Sequence, residues 1–128
     1  MDKSKKLGDA ELEIMNVLWR ESEPVTSGHI LDRLERGWAL STLMTALSRL
    51  AAKGFVSCDR STRTNLYTAL VREEDYKSSE SRSFLERMFG GSARKLVASL
   101  YDSQSITDED ISDLHRLIEE LEAKHKEE

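Results

Sequence analysis

The side chains best placed to do chemistry in this chain are Ser41, Thr42, Met44, Thr45, Ser48 and Arg49, all within the stretch STLMTALSRLAAKGFV from Ser41 to Val56. Leu43, Leu47 and Leu50 recur there at spacings of four and three, which on a helix puts them on one side, toward a core. The six residues left on the other side are short or flexible and none is acidic. Such a face approaches a phosphate backbone without repulsion, and its hydroxyls and guanidinium can bond phosphate oxygens or base edges. An ordinary solvated helix surface has a similar composition, so the surrounding elements decide between the two.

Other chemistries find little support. His29, His115 and His125 fall on different predicted elements, without Asp, Glu or Cys at a recurrent metal spacing. The single cysteine, Cys58, excludes an intramolecular disulfide and a zinc site built on paired cysteines. There is no nucleophile motif, no phosphate-cradling glycine loop and no paired acid. The expectation is a non-enzyme with no catalytic residue, no metal and no cofactor.

The elements that position the polar face run as follows. Asp9 to Arg20 reads as a largely buried helix with Asp9 as N-cap, Leu7 before it and Trp19 as a core anchor. Pro24 breaks it. A second helix is capped by Thr26 or Ser27, carries Ile30, Leu31 and Leu34 as its apolar stripe, and is expected to end at Gly37 with Arg36 in its last turn. A link of three or four residues leads to the third helix, short enough for a helix-turn-helix, and Gly54 closes that helix. Phe55 to Cys58 and Leu66 to Leu70 then flank RSTRTN, a hairpin signature whose turn carries Arg60 and Arg63. Arg63, nearest the tip, suits a backbone phosphate; Tyr67 suits packing or phosphate donation equally. Three helices and a basic hairpin describe a winged helix-turn-helix, expected over residues 1–72. The lysine-bearing arm from Met1 to Lys6 reads as a solvated tail.

Residues 73–128 are helical throughout in pattern. Glu73 to Phe89 ends at Gly90-Gly91; Ser92 caps a second helix, and Thr107 with Asp110 caps a third that carries Ile111, Leu114, Leu117, Ile118 and Leu121. So short a segment cannot bury that much apolar surface alone, and a second copy of the chain is the expected partner, as for readers of two-fold symmetric sites. The fold class is thus mostly α with a small β-wing, followed by a helical dimerisation region.

Charge follows the same division. The chain has 128 residues, 34% of them charged, and a net charge of −5, which by itself argues against nucleic acid. Yet Arg36 to Arg72 holds six Lys or Arg residues against one acid, Asp59, while residues 78–128 hold seven against twelve. The basic field sits on the third helix and hairpin. No apolar run approaches the roughly 18 residues that span a bilayer, and no apolar segment follows the N-terminal lysines. A cytoplasmic protein without membrane insertion is expected.

On these residues the chain resembles the penicillinase repressor family of bacterial transcription factors, the BlaI, MecI and CopY group, from about Leu7 to Leu121. The carriers are LGDAELEIMNVLW (7–19), W-x(3)-T-x(2)-T-x(3)-R-L-x(2)-K-G (Trp38 to Gly54), LYTALV (66–71) and FLERMFGGS followed by the capped last helix. The resemblance implies a homodimeric repressor that occupies a palindromic operator in double-stranded DNA and is released by an inducing signal. It assigns the third helix to the major groove, a base or near-base role to Thr45, and phosphate or base contacts to Thr42 and Arg49. Relatives carry a lysine and an arginine where this chain has Ser41 and Met44, so guanine readout by a paired Arg is missing at position 44. The family's copper-responsive branch has a cysteine-rich tail that this chain lacks. In its penicillinase branch a protease linked to a membrane sensor cuts an Asn-Phe bond after the double glycine, and the aligned residues are Ser99 and Leu100. The alternatives are a winged-helix protein-interaction module and a ligand-dependent regulator, with weak or no DNA binding.

Overall fold

The computed structural model describes residues 6–127; of the N-terminal lysine arm, Met1 to Lys5 lie outside them. The elements are α1 (Asp9–Trp19), α2 (Ser27–Arg33), α3 (Leu40–Ala52), β1 (Val56–Asp59), β2 (Leu66–Ala69), α4 (Glu73–Phe89), α5 (Ala93–Asp102) and α6 (Asp108–Lys126). The chain divides into two units, one ending at Ser81 and one beginning at Arg82.

In the first unit, the expected stripes form one core. Leu43, Leu47 and Leu50 of α3 are buried against Ile14, Met15 and Leu18 of α1 and Ile30 of α2. Gly54 ends α3 at φ +85°, a backbone conformation that costs residues with a Cβ. It lets the Phe55 N–H return to the Leu50 carbonyl at 2.9 Å and drops the Phe55 ring into the core. β1 and β2 pair antiparallel with Val56 opposite Ala69 and Asp59 opposite Leu66, making the wing of a winged helix. A third extended piece is added by Val25, which exchanges two backbone hydrogen bonds with Tyr67, at 3.1 and 2.7 Å. Pro24, beside it, has no N–H to leave unpaired.

Three local expectations are corrected. The N-cap of α1 is Gly8 instead of Asp9: the Glu11 carboxylate accepts from the Gly8 N–H at 2.9 Å, which satisfies a free helix-end donor and leaves Leu7 buried just outside. Second, α2 stops at Arg33, with Leu34 as C-cap at ψ 132°, four residues before Gly37. Leu34 is drawn into the core, and Trp38 packs partly against it, its N–H bonded to the Arg36 carbonyl at 2.8 Å. Third, the link to α3 is therefore six residues, 34–39, longer than the three or four expected. Burial of two large side chains along the link outweighs the glycine stop signal.

The division inside α4 also has a cause. Tyr76, one turn into α4, is buried; its ring lies 5.7 Å from that of Phe55 and 6.0 Å from that of Trp19. The Tyr76 hydroxyl accepts from the Leu7 N–H at 2.9 Å and donates to Glu80 at 3.2 Å, while the Trp19 indole N–H donates to the Val71 carbonyl at 2.8 Å. The first turns of α4 thus belong to the winged-helix core, and the unit runs to Ser81 where the sequence places the boundary at residue 72.

The second unit has the expected helices and caps. Gly90 and Gly91 take φ +57° and +84°, Ser92 Oγ accepts from the Lys95 N–H, and Thr107 and Asp110 cap α6 reciprocally at 3.1 and 2.8 Å. None of the described residues from 82 to 127 is buried. Phe84, Met88, Tyr101, Leu117, Ile118 and Leu121 are exposed. No helix among the described residues is long and apolar enough to cross a membrane.

Candidate nucleic-acid interface

The outer side of α3 is where the described structure gathers the sequence-predicted residues. Ser41, Thr42, Thr45, Ser48 and Arg49 are all exposed, because the three leucines that take the opposite side are buried almost completely. Met44 is the exception. It is half-buried and packs partly on the core, since it lies on the flank of the helix between the leucine stripe and the hydroxyls. Thr42, Thr45 and Arg49 line an open groove whose other wall is Trp38 with Ala10 and Glu11 of α1.

The head of α3 is open. Its N-cap, Ala39, supplies no side-chain hydrogen bond, so the first-turn N–H groups carry the partial positive charge of a helix N-terminus without an internal acceptor there. Thr45 Oγ donates to the Ser41 carbonyl at 3.0 Å. At the other end of the helix the two cations differ. Lys53 Nζ is engaged by both Glu11 carboxylate oxygens, at 2.8 and 3.0 Å, and by the Lys6 carbonyl at 3.3 Å. Arg49 has no ion-pair partner among the described residues.

Glu11 is the electrostatic hinge of this arrangement. Burial pushes its carboxyl up, but the hydrogen bonds from the Gly8 N–H and Lys53, with the positive charges of Lys53 and Arg49, outweigh burial and hold it below its ordinary value. It stays ionised, fixes Lys53 and leaves Arg49 as the cation available on the exposed face. On the wing, Asp59 Oδ1 accepts from Ser61 N–H at 2.9 Å and Ser61 Oγ at 2.6 Å. Those bonds hold its carboxyl below the usual range and turn the chain into the loop that exposes Arg60 and Arg63. Neither arginine is ion-paired among the described residues. Tyr67 is buried, opposite Cys58 in the strand register; burial first, and then Cys58, push its hydroxyl up, which fits a packing role.

Ser99 and Leu100 lie in the other unit, on α5, with Ser99 exposed and Leu100 half-buried. Among the described residues no three His, Cys, Asp or Glu side chains converge as a metal site; His29 is joined to Glu21 at 2.7 Å. Trp38, which opens the Trp38 to Gly54 motif, walls the groove, and Leu40 is the first residue of α3; sequence reasoning does not mark either as a site residue.

The penicillinase repressor family model matches residues 7–120. A penicillinase repressor of Bacillus licheniformis is 31% identical over 129 residues, covering 99% of this chain and 100% of that protein. The methicillin resistance regulatory protein MecI of Mammaliicoccus sciuri is 25% identical over 118 residues, 91% of this chain and 96% of its own length. Among solved structures, the DNA-binding domain of the repressor BlaI is similar at a TM-score of 0.51 and 33% identity, covering 59% of this chain and 94% of that one.

Proposed function

The chain belongs to the penicillinase repressor family, and from that premise we propose that it is a transcriptional repressor that binds double-stranded DNA as a homodimer on a palindromic operator. The observation that carries the reading is the exposed, acid-free face of α3, with Arg49 unpaired among the described residues, in the same unit as a wing that exposes Arg60 and Arg63. In this account α3 enters the major groove. Thr42, Thr45, Ser41 and Ser48 lie along the bases and nearest phosphates, while Arg49 and Arg63 hold the backbone. Met44 contributes its exposed part from the flank.

Dimerisation is assigned to the helices after Ser81. A set of helices with no buried residue and six exposed large apolar side chains is stabilised by apolar association, and a two-fold partner brings a second copy of α3 to a second half-site. Release by an inducing signal is assigned to the same region. The Ser99–Leu100 bond is a candidate for cleavage by a protease linked to a membrane sensor. The Ser99 carbonyl accepts from Ser103 N–H at 3.1 Å, and the Leu100 carbonyl from Ser105 N–H at 2.8 Å. A protease must therefore unwind the end of α5 before it can cut, which couples cleavage to loss of the helix.

Footprinting on the DNA upstream of the chain's own gene tests the proposal. The expected result is protection of two inverted half-sites that is lost when the cells receive the inducer. Absence of protection across that region contradicts it and favours a winged-helix interaction module.

A further inference from the structure

Leu40 opens α3 with 51% of its surface exposed, and Met44 follows one turn later, half-buried. Residues four apart on a helix are neighbours, so these two form a short apolar strip beside the row of Ser41 and Thr45. Thr45 has spent its one hydroxyl proton on the Ser41 carbonyl, at 3.0 Å. It therefore has no proton to donate to guanine N7 or O6 or to thymine O4. The same bond fixes the side-chain rotamer, which holds the γ-methyl in one staggered position on an exposed residue. From Leu40 to Ser48 there is no Arg, Lys, Asn or Gln, the side chains that read guanine and adenine through paired hydrogen bonds.

The first turns of a recognition helix are the ones that meet base edges. Beside the exposed Ser41 and Thr42 hydroxyls, Leu40, Met44 and Thr45 offer methyl and methylene surface there, and the base group complementary to such a surface is the C5-methyl of thymine, presented in the major groove. Resting on the DNA-binding role proposed above, we infer that the head of α3 selects its half-site by apolar contact with thymine methyl groups. Leu40, Met44 and Thr45 are the residues that determine this specificity. Arg49 and the wing arginines supply backbone attraction that carries no sequence information.

The test uses the full chain to select duplexes from a randomised pool. The recovered duplex is then resynthesised with deoxyuridine for thymidine, one position at a time, which removes a methyl and nothing else. At one or more positions of each half-site the affinity is expected to fall about three- to fivefold, the value of one buried methyl. Thr45→Ser keeps a hydroxyl for the Ser41 carbonyl and lacks the methyl, and it should bind the thymidine and deoxyuridine duplexes equally at one of those positions. Leu40→Ala should do the same at another. If wild-type protein binds every deoxyuridine duplex as tightly as the parent while binding remains salt-sensitive, the methyl contacts are refuted and the DNA-binding role stands. If no duplex is retained above scrambled competitor, both are refuted.

Discussion

At the scale of single residues, some charges are committed inside the fold and others are left for a partner. Arg49 and Arg63 are left. Each is expected to neutralise one phosphate in each protomer of the dimer, so Arg49→Ala and Arg63→Ala should each lower the slope of log affinity against log salt by about 2. An unchanged slope would remove that arginine from the interface. Glu11 and Lys53 are committed, and their bond sets a pH dependence. The Glu11 carboxyl is held below its ordinary value of 4.5 in the folded chain. Its stabilisation is thus fully present above that value and is lost as pH falls through the lower folded-state value. Glu11→Gln should cost about 1 kcal/mol near neutrality, seen as a lower melting temperature, and the gap from wild type should close in acid. A gap that persists in acid would mean the loss comes from packing and not from charge. These residue roles were unequally legible. The acid-free face of α3 can be read from leucine spacing alone. The pairing of Lys53 with Glu11 cannot, because it joins residues 42 apart in sequence.

At the scale of elements, period and punctuation made most of the winged helix readable. The leucine period gave α3, β-rich runs around a polar turn gave the wing, and Gly90-Gly91 with Ser92 gave the break between α4 and α5. Gly54 is the clearest case, since its φ of +85° is what a glycine stop after a helix implies. No atom lies within 4 Å of where its Cβ would stand, so Gly54→Ala should cost only the backbone penalty, about 1–2 kcal/mol. Chemical denaturation reads that loss, and a neutral substitution would show that the turn adjusts freely. What sequence could not resolve were ends governed by tertiary burial. Gly37 gives the same stop signal as Gly54, yet α2 ends four residues earlier because Leu34 and Trp38 find the core. The bridge of Val25 to Tyr67 was equally hidden, since a single extended residue has no period. Tyr76 was visible as an aromatic on α4, but its hydroxyl bond to Leu7 spans 69 positions and moved the unit boundary past the start of the helix.

At the scale of the whole molecule, the two units carry opposite burdens. The first buries Leu43, Leu47 and Leu50 of α3 and exposes a basic face; the second is acidic and exposes its apolar side chains. Leu117, Ile118 and Leu121 of α6 are each close to half exposed, a surface expected to close against a second copy. Sedimentation should give a dimer at tens of micromolar, and the pair Leu117→Asp with Ile118→Asp should give a folded monomer with weakened operator binding. A wild-type monomer at that concentration would contradict the assignment of these helices. That α3 and the wing grip DNA is tested most directly by the affinity of the full chain for duplex from upstream of its own gene as salt is raised. With about six phosphates neutralised, affinity should fall about a thousandfold between 50 and 200 mM salt, and Thr45→Ala with Arg49→Ala should weaken retention by about tenfold or more and flatten the salt dependence. Binding that is absent, or that is unmoved by both salt and the double substitution, would contradict it.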